Sequence, residues 1–354
     1  MIEKRTTQLM VTASPHIRSS ITVAQLMWLV VTALLPALAG SIYFFGLRAL
    51  FIVLLSTGSA VLFDGLAQYL FGKKSTVFDG SAALTGLLLG FNLPPNCPWW
   101  IPVAGSAFAT VVAKQFFGGL GHNFINPALA GRAFLVASWP TQMTTTWLAP
   151  RGGNISALPA TALKICTDAI SSATPLNVLK HGTKMVLPEF NPHSLFEQLH
   201  SWAVIKNLFL GNTGGCIGET SALLLLMGGI FLIILRVIDW RIPLAYLSTV
   251  AVLVLILPGH KINPINYTLF HLLSGGLILG AFYMATDYVT SPITQKGRLI
   301  FGIGCGILTA LIRLWGGYPE GVCYSILLMN VATPLIDRLT LPRPFGTRQK
   351  DGKK

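Results

Sequence analysis

Asp79-Gly-Ser-Ala-Ala-Leu-Thr-Gly-Leu-Leu-Leu-Gly90 runs into Phe91-Asn-Leu-Pro-Pro95. The stretch is apolar enough for lipid. It ends well short of the roughly 20 residues that a membrane-spanning helix needs, because a proline pair cannot continue a helix. It reads as a short or broken membrane helix. Broken backbone at membrane depth must be covered by protein or line a cavity, so this stretch calls for a partner elsewhere in the chain. Gly218-Glu-Thr-Ser-Ala-Leu223 echoes its start. A second echo pairs Asn126-Pro-Ala-Leu-Ala-Gly-Arg-Ala-Phe134 with Ser291-Pro-Ile-Thr-Gln-Lys-Gly-Arg-Leu-Ile-Phe301. Repeated short or broken helices commonly build a site at a repeat interface near the membrane midplane.

Outward from these motifs, apolar runs recur from Ile21 almost to the C-terminus. The 354 residues are 53% hydrophobic and only 10% charged, against about 25% charged in soluble domains. The expected fold is therefore an all-α polytopic membrane protein. About ten transmembrane helices are expected, in two inverted repeats of five, with one long outer-face loop. The spans fall near 21–44, 47–69, 79–94, 99–117 and 123–139, then 218–237, 242–258, 265–286, 298–314 and 318–337. The corresponding organisation is a segment 1–20, a first repeat 21–139, an outer segment 140–217, a second repeat 218–337 and a basic tail 338–354.

The formal net charge is +13. Its Lys and Arg residues are scattered between apolar runs, which points away from nucleic acid and toward orientation charges at one membrane face. Lys73, Lys114, Arg236, Arg241, Arg298 and Arg338 all fall on one side of a ten-span arrangement, expected to be cytoplasmic, with both termini. The segment 140–217 then lies on the opposite, periplasmic side. The five cysteines form no Cys-x-x-Cys pair and no Cys/His cluster, so an iron–sulfur or zinc site within this chain is not expected. No phosphate-binding Gly loop and no dinucleotide fingerprint is present either.

Two groups of residues invite chemistry. In the outer segment, Asp168-Ala-Ile-Ser-Ser-Ala-Thr174 precedes Pro175. Small neighbours Ser171, Ser172 and Ala173 would let an external enzyme approach the Thr174 hydroxyl, and Pro175 keeps Thr174 out of helical geometry. Asp168 would orient the donor or a metal during attachment. An ordinary Ser/Thr-rich loop fits these residues as well. The second group is Asn126, Thr286, Asp287 and Thr290 at the end of an apolar span, where polar groups are functional suspects or helix caps. Asp64 and Asp239 read as surface or helix-contact residues. Trp99, Trp100 and Trp147 read as interfacial anchors.

As an ordered set, Asp79–Gly90, Phe117–Leu129, Asp168–Leu176, Gly280–Thr290, Gly297–Gly302 and Gly316–Gly321 resemble the NqrB/RnfD family, and within it the RnfD component of the Rnf (Rsx) ion-translocating electron-transport complex. The chain is similar, more distantly, to NqrB of the sodium-pumping NADH:quinone reductase. The resemblance implies FMN joined through its phosphate to Thr174, with Ser172 standing where many relatives have glycine. Thr174 would be a tether, and no residue of this chain a catalytic acid, base or metal ligand. Arg151, Lys164, Lys180 and Lys184 would then stabilise phosphate or reduced flavin, or serve as ordinary solvated charges. For Asn126, Asp287 and Thr290 the resemblance implies an ion route or a non-covalent riboflavin. It further implies a bacterial inner membrane and sodium or proton movement. The expected partners are the other Rnf complex components (A, B, C, E and G) and a maturing flavin transferase. The competing expectation is an inverted-repeat transporter or channel, or a scaffold, without redox chemistry.

Overall fold

The computed structural model describes residues 21–73, 75–152, 155–156, 174–182, 197–219, 221–257, 263–317 and 320–342. Asp168, Ser171, Ser172, Ala173, Lys164 and Lys184 lie outside the described residues, as do segment 1–20 and the end of the tail.

The described chain is helical throughout. In the first half, α1 (Val23–Phe45) starts at a reciprocal cap, in which Thr22 Oγ1 accepts from Gln25 N–H and Gln25 Oε1 accepts from Thr22 N–H; this satisfies two donors that a helix start leaves unpaired. Gly46, at φ 76°, turns the chain directly into α2 (Leu47–Leu70). The opening motif becomes α3 (Ser81–Phe91), followed by α4 (Trp100–Ala107), which widens into a π-helix over Phe108–Gln115, and by α5 (Pro127–Ser138) and α6 (Pro140–Thr144). Short α7 (Pro175–Asn177) and α8 (Trp202–Leu210) lead to the second half. That half consists of α9 (Ala222–Ile234), α10 (Arg241–Ile256), α11 (Pro264–Leu273), α12 (Leu277–Leu279, continued as a π turn Gly280–Met284), α13 (Gln295–Leu314) and α14 (Val322–Thr340).

Among the described residues, α1, α2, α13 and α14 are long and apolar enough to cross a membrane. The pair α11–α12 makes a fifth crossing if taken as one bent span. The helices α3, α5, α9 and α10 are apolar but shorter. Reaching ten spans requires these and α4 to cross as well. The continuous span expected at 265–286 is instead two helices bent by 63°. The break lies at Ser274, with ψ 145°, and Gly275, with φ 68°. Its freed carbonyls are not left bare. Buried Arg313 of α13 donates to His271 O, to Ser274 O at 3.1 Å and to Glu320 O at 3.0 Å. A broken helix in an apolar surround survives only when its backbone is re-satisfied in this way.

Within the first half, α3 lies on α2 at backbone distance. A Cβ on Gly86 would come within 2.6 Å of Thr57 Cα, and Ser56 Oγ donates to Gly86 O at 2.7 Å. Small residues with an interhelical hydrogen bond are the usual means of packing helices in lipid, where apolar contact alone gives little selectivity. The π-helical end of α4 presents successive residues inward. Lys114 Nζ reaches Asp64 at 3.2 Å and Ser81 Oγ at 2.8 Å, while Gln115 Nε2 donates to Asp64 Oδ1 at 2.8 Å. Asp64 thus proves to be a buried helix-contact residue. The two halves meet along α1 against α9 and α5 against α14.

Candidate site between the halves

The two short helices α3 and α9 approach end to end at this junction. Ile217 N–H, in the 3-10 turn Ile217–Glu219 before α9, donates to Leu93 O just beyond α3 at 3.0 Å. Arg132 of α5 lies beside the C-terminal end of α3, donating to Asn92 Oδ1 at 2.7 Å. Glu219 lies at the N-terminal approach to α9. Each charge therefore faces the helix end whose partial charge is opposite. Arg132 also pairs with Glu320, lies 3.6 Å from Glu219 Oε1 and contacts Cys216 Sγ at 3.7 Å. Arg132 and Glu219 are buried, with side chains only 8% and 6% exposed.

Cavities open on both sides of this cluster. The first, of about 350 Å³, is bounded by Arg132, Trp147, Thr174, Asn177, Glu320 and Tyr324 among others. Thr174 is half-buried and extended, at φ −64° and ψ 157°, immediately before Pro175 opens α7. The geometry is the one expected of a residue preceding proline. Its hydroxyl makes no capping hydrogen bond to α7. Trp147, expected as an interfacial anchor, instead lines this cavity, and its buried indole N–H has no hydrogen-bond acceptor. A sequence places a tryptophan near a membrane face but not on one side of a pocket. Lys180 donates to Ile312 O at 3.0 Å, and Arg151 is exposed, its backbone N–H donating to Phe44 O.

The second cavity, of about 80 Å³, is bounded by Asn126, Thr286, Asp287, Lys114 and Tyr283 among others. Asn126 caps α5, accepting from Ala128 N–H at 3.0 Å and Leu129 N–H at 3.3 Å, and its amide donates to Met284 O at 3.2 Å. Asp287 accepts from Val289 N–H at 3.4 Å and Thr290 Oγ1 at 3.2 Å; burial pushes its carboxyl above the usual range, against these two bonds. Thr290 does not line the cavity but braces Asp287. With the Asn330 amide oriented to suit its neighbours, Asn330 accepts from Asn126 N–H at 3.0 Å and donates to Thr290 O at 3.3 Å. The structure thus joins Asn126, Asp287 and Thr290 in one place. The capping reading holds for Asn126, while Asp287 caps only a turn.

The profile of the NQR2, RnfD, RnfE family matches residues 10–346. The chain belongs to that family. It is 49% identical over 340 residues to the D component of the Na(+)-translocating ferredoxin:NAD(+) oxidoreductase complex of Acetobacterium woodii, covering 96% of this chain and 95% of that one. It is 44% identical over 340 residues to the D component of the proton-translocating ferredoxin:NAD(+) oxidoreductase complex of Clostridium ljungdahlii, covering 96% of each. The D component of the ion-translocating oxidoreductase complex of Escherichia coli K12 is 37% identical over 361 residues, covering 96% of this chain and 99% of that one. The resemblance to RnfD is therefore borne out across the chain. In this family member, sequence reading missed the Arg132–Glu219–Glu320 cluster as a unit. Each residue lay inside a quoted motif, and an arginine within an apolar helix is itself a signal.

Proposed function

We propose that this chain is the membrane subunit of an ion-translocating ferredoxin:NAD oxidoreductase complex that carries FMN through a phosphoester on Thr174. The observation that carries the reading is the position of Thr174, half-buried on the edge of a cavity of about 350 Å³. That volume lies in the range of small-molecule pockets, roughly 300–1,000 Å³. The residues present suit a flavin. Trp147 and Tyr324 offer aromatic faces, the unpaired Trp147 N–H offers a donor, and Arg132 offers a fixed positive charge. When bound, FMN would supply reversible electron transfer. Thr174 acts as tether only. Arg132, paired with Glu320 on the same wall, holds a guanidinium at the cavity edge.

The names of the relatives support membership of such a complex, one translocating sodium and another protons. The remaining components would supply the iron–sulfur and NAD sites, and a flavin transferase would load Thr174. The lipid-facing helices support residence in the bacterial inner membrane. Basic Lys114, Arg241 and Arg298 gather toward the Asp287 end, which supports a cytoplasmic assignment for that end and both termini. Thr174 then faces the periplasm. The Asp287 cavity is proposed as part of the ion route or as the seat of a non-covalent riboflavin. Its volume of about 80 Å³ accepts water or a small ion as it stands, whereas a flavin ring requires its walls to part.

The test is intact mass and in-gel flavin fluorescence of denatured wild type and Thr174→Ala, each produced with its flavin transferase. An FMN-sized adduct present in wild type and absent from Thr174→Ala is expected. An unmodified wild type beside a demonstrably active transferase would remove Thr174 from the site.

A further inference from the structure

We propose that the cavity between the end of α2 and the start of α3 holds the headgroup of one zwitterionic phospholipid, a phosphatidylethanolamine, with its phosphate on Lys73 and its ammonium on Asp79. The inference is independent of the flavin reading and needs only that the apolar helices sit in lipid.

The cavity is about 360 Å³, bounded by Gln68, Lys73, Asp79, Gln115, Gly119 and His122 among others. That is within the roughly 300–1,000 Å³ of small-molecule pockets. Its inner wall is already satisfied. Asp64 pairs with Lys114 and accepts from the Gln68 and Gln115 amides, and Gln68 Oε1 accepts from Thr76 N–H at 2.8 Å. Two half-buried charges of opposite sign are left. Lys73 Nζ donates to Gln115 O at 3.0 Å and Gln115 Oε1 at 3.2 Å, which leaves the third donor of an ammonium. Asp79 Oδ1 accepts from Ser81 N–H at 2.8 Å and from Ser81 Oγ at 2.6 Å; among the described residues nothing donates to Asp79 Oδ2. Among the described residues, Lys73 and Asp79 also share the cavity without an ion pair to each other.

Opposite charges held apart on one cavity match a ligand that carries both signs. A phosphodiester would take the remaining Lys73 donor, and the His122 ring at the rim offers another. A primary ammonium would give its N–H groups to Asp79 Oδ2. A singly anionic headgroup would set its charge against Asp79, a like-charge contact, and a choline headgroup has no N–H to give. The rim is apolar, which favours a ligand that brings acyl chains. Phe71, Phe78, Phe116 and Phe117 are 47%, 92%, 63% and 47% exposed. Phenylalanines left open beside a polar cavity suit the boundary between acyl chains and headgroups. Charge and rim are adjacent, since Lys73 Nζ lies 5.4 Å from the Phe71 ring centroid and the Phe71 and Phe116 rings meet edge to face at 5.9 Å.

The experiment uses the purified full chain, stripped of lipid in detergent. Its melting temperature is followed against phosphatidylethanolamine, phosphatidylcholine and phosphatidylglycerol of matched acyl chains, and against free phosphoethanolamine, for wild type, Lys73→Met and Asp79→Asn. Phosphatidylethanolamine is expected to raise the wild-type melting temperature at lower concentration than the other two lipids, and free phosphoethanolamine to leave it unchanged. Lys73→Met should raise half-saturating phosphatidylethanolamine about tenfold, and Asp79→Asn should reduce its effect to that of phosphatidylcholine. Phosphatidylglycerol acting as well as phosphatidylethanolamine, free phosphoethanolamine matching the lipid, or variants that respond like wild type would each overturn the proposal. Should Lys73→Met fail to fold, Asp79→Asn alone decides, because asparagine keeps the Oδ1 acceptor for Ser81 N–H.

Discussion

Arg132 concentrates what single residues do here. It is buried, pairs with Glu320, faces Glu219 and holds Asn92. Removing one partner of a buried pair leaves the others as uncompensated charge, at a cost of about 3–5 kcal/mol. Arg132→Met is therefore expected to lower stability by that amount, and Arg132→Met combined with Glu320→Gln by clearly less, which a double-mutant thermal-melt cycle would reveal. If the double variant were as unstable as the sum of the single ones, the two side chains would not be coupled. Thr174 behaves differently, since its hydroxyl makes no cap bond. Thr174→Ala should fold normally, so loss of an adduct there reports attachment rather than collapse.

At the scale of elements, a buried polar side chain repeatedly closes a helix end or a turn. Asp239, between α9 and α10, works against its own burial. The Arg241 backbone N–H and the guanidiniums of Arg298 and Arg241 outweigh it and hold the carboxyl below its usual range. A depressed carboxyl contributes stability above its unfolded pKa, about 3.9, and loses it as pH falls through the folded value. Wild type should therefore exceed Asp239→Asn in melting temperature at neutral pH, with the gap closing in acid below about pH 4. A gap unchanged into acid would show that the Asp239 charge contributes nothing. Residue order leaves Asp239 as a surface or helix-contact group, and the structure makes it a contact between α10 and α13.

Across the whole molecule, the two halves depend on close contact between α1 and α9. A Cβ on Gly228 would overlap Ala33 O and Tyr283 Oη. Tyr283 Oη donates to Leu225 O at 3.0 Å in the same contact. Gly228→Leu is expected to push α1 from α9 at a cost of about 1–3 kcal/mol, read as a lower melting temperature in detergent. Gly58, inside α2 with open space around its Cα, is the control, and Gly58→Leu should not lower the melting temperature, since a helix interior favours leucine over glycine. Equal effects at both positions would mean that helix propensity rather than interhelical spacing sets the outcome.

The membrane class, the short helix after Asp79, the break-prone Gly/Pro composition and the Thr174–Pro175 geometry are legible in residue order alone. Each is a local property of apolar run length, proline sterics or residue size. The bend at Gly275 and the company of Arg132 are not. Whether a glycine interrupts a helix depends on a distant side chain, here Arg313, to take the freed carbonyls. Arg132, Glu219 and Glu320 are separated by up to 188 residues, and nothing local says that one guanidinium serves both carboxylates. Trp147 reads as an anchor because amphipathic rings favour interfaces, and only packing sets it on the wall of the cavity that Thr174 also lines. The sequence by itself determined which residues could carry chemistry in a membrane. Tertiary structure alone decided which of them share a cavity, because burial and pairing of charge are properties of the assembled halves.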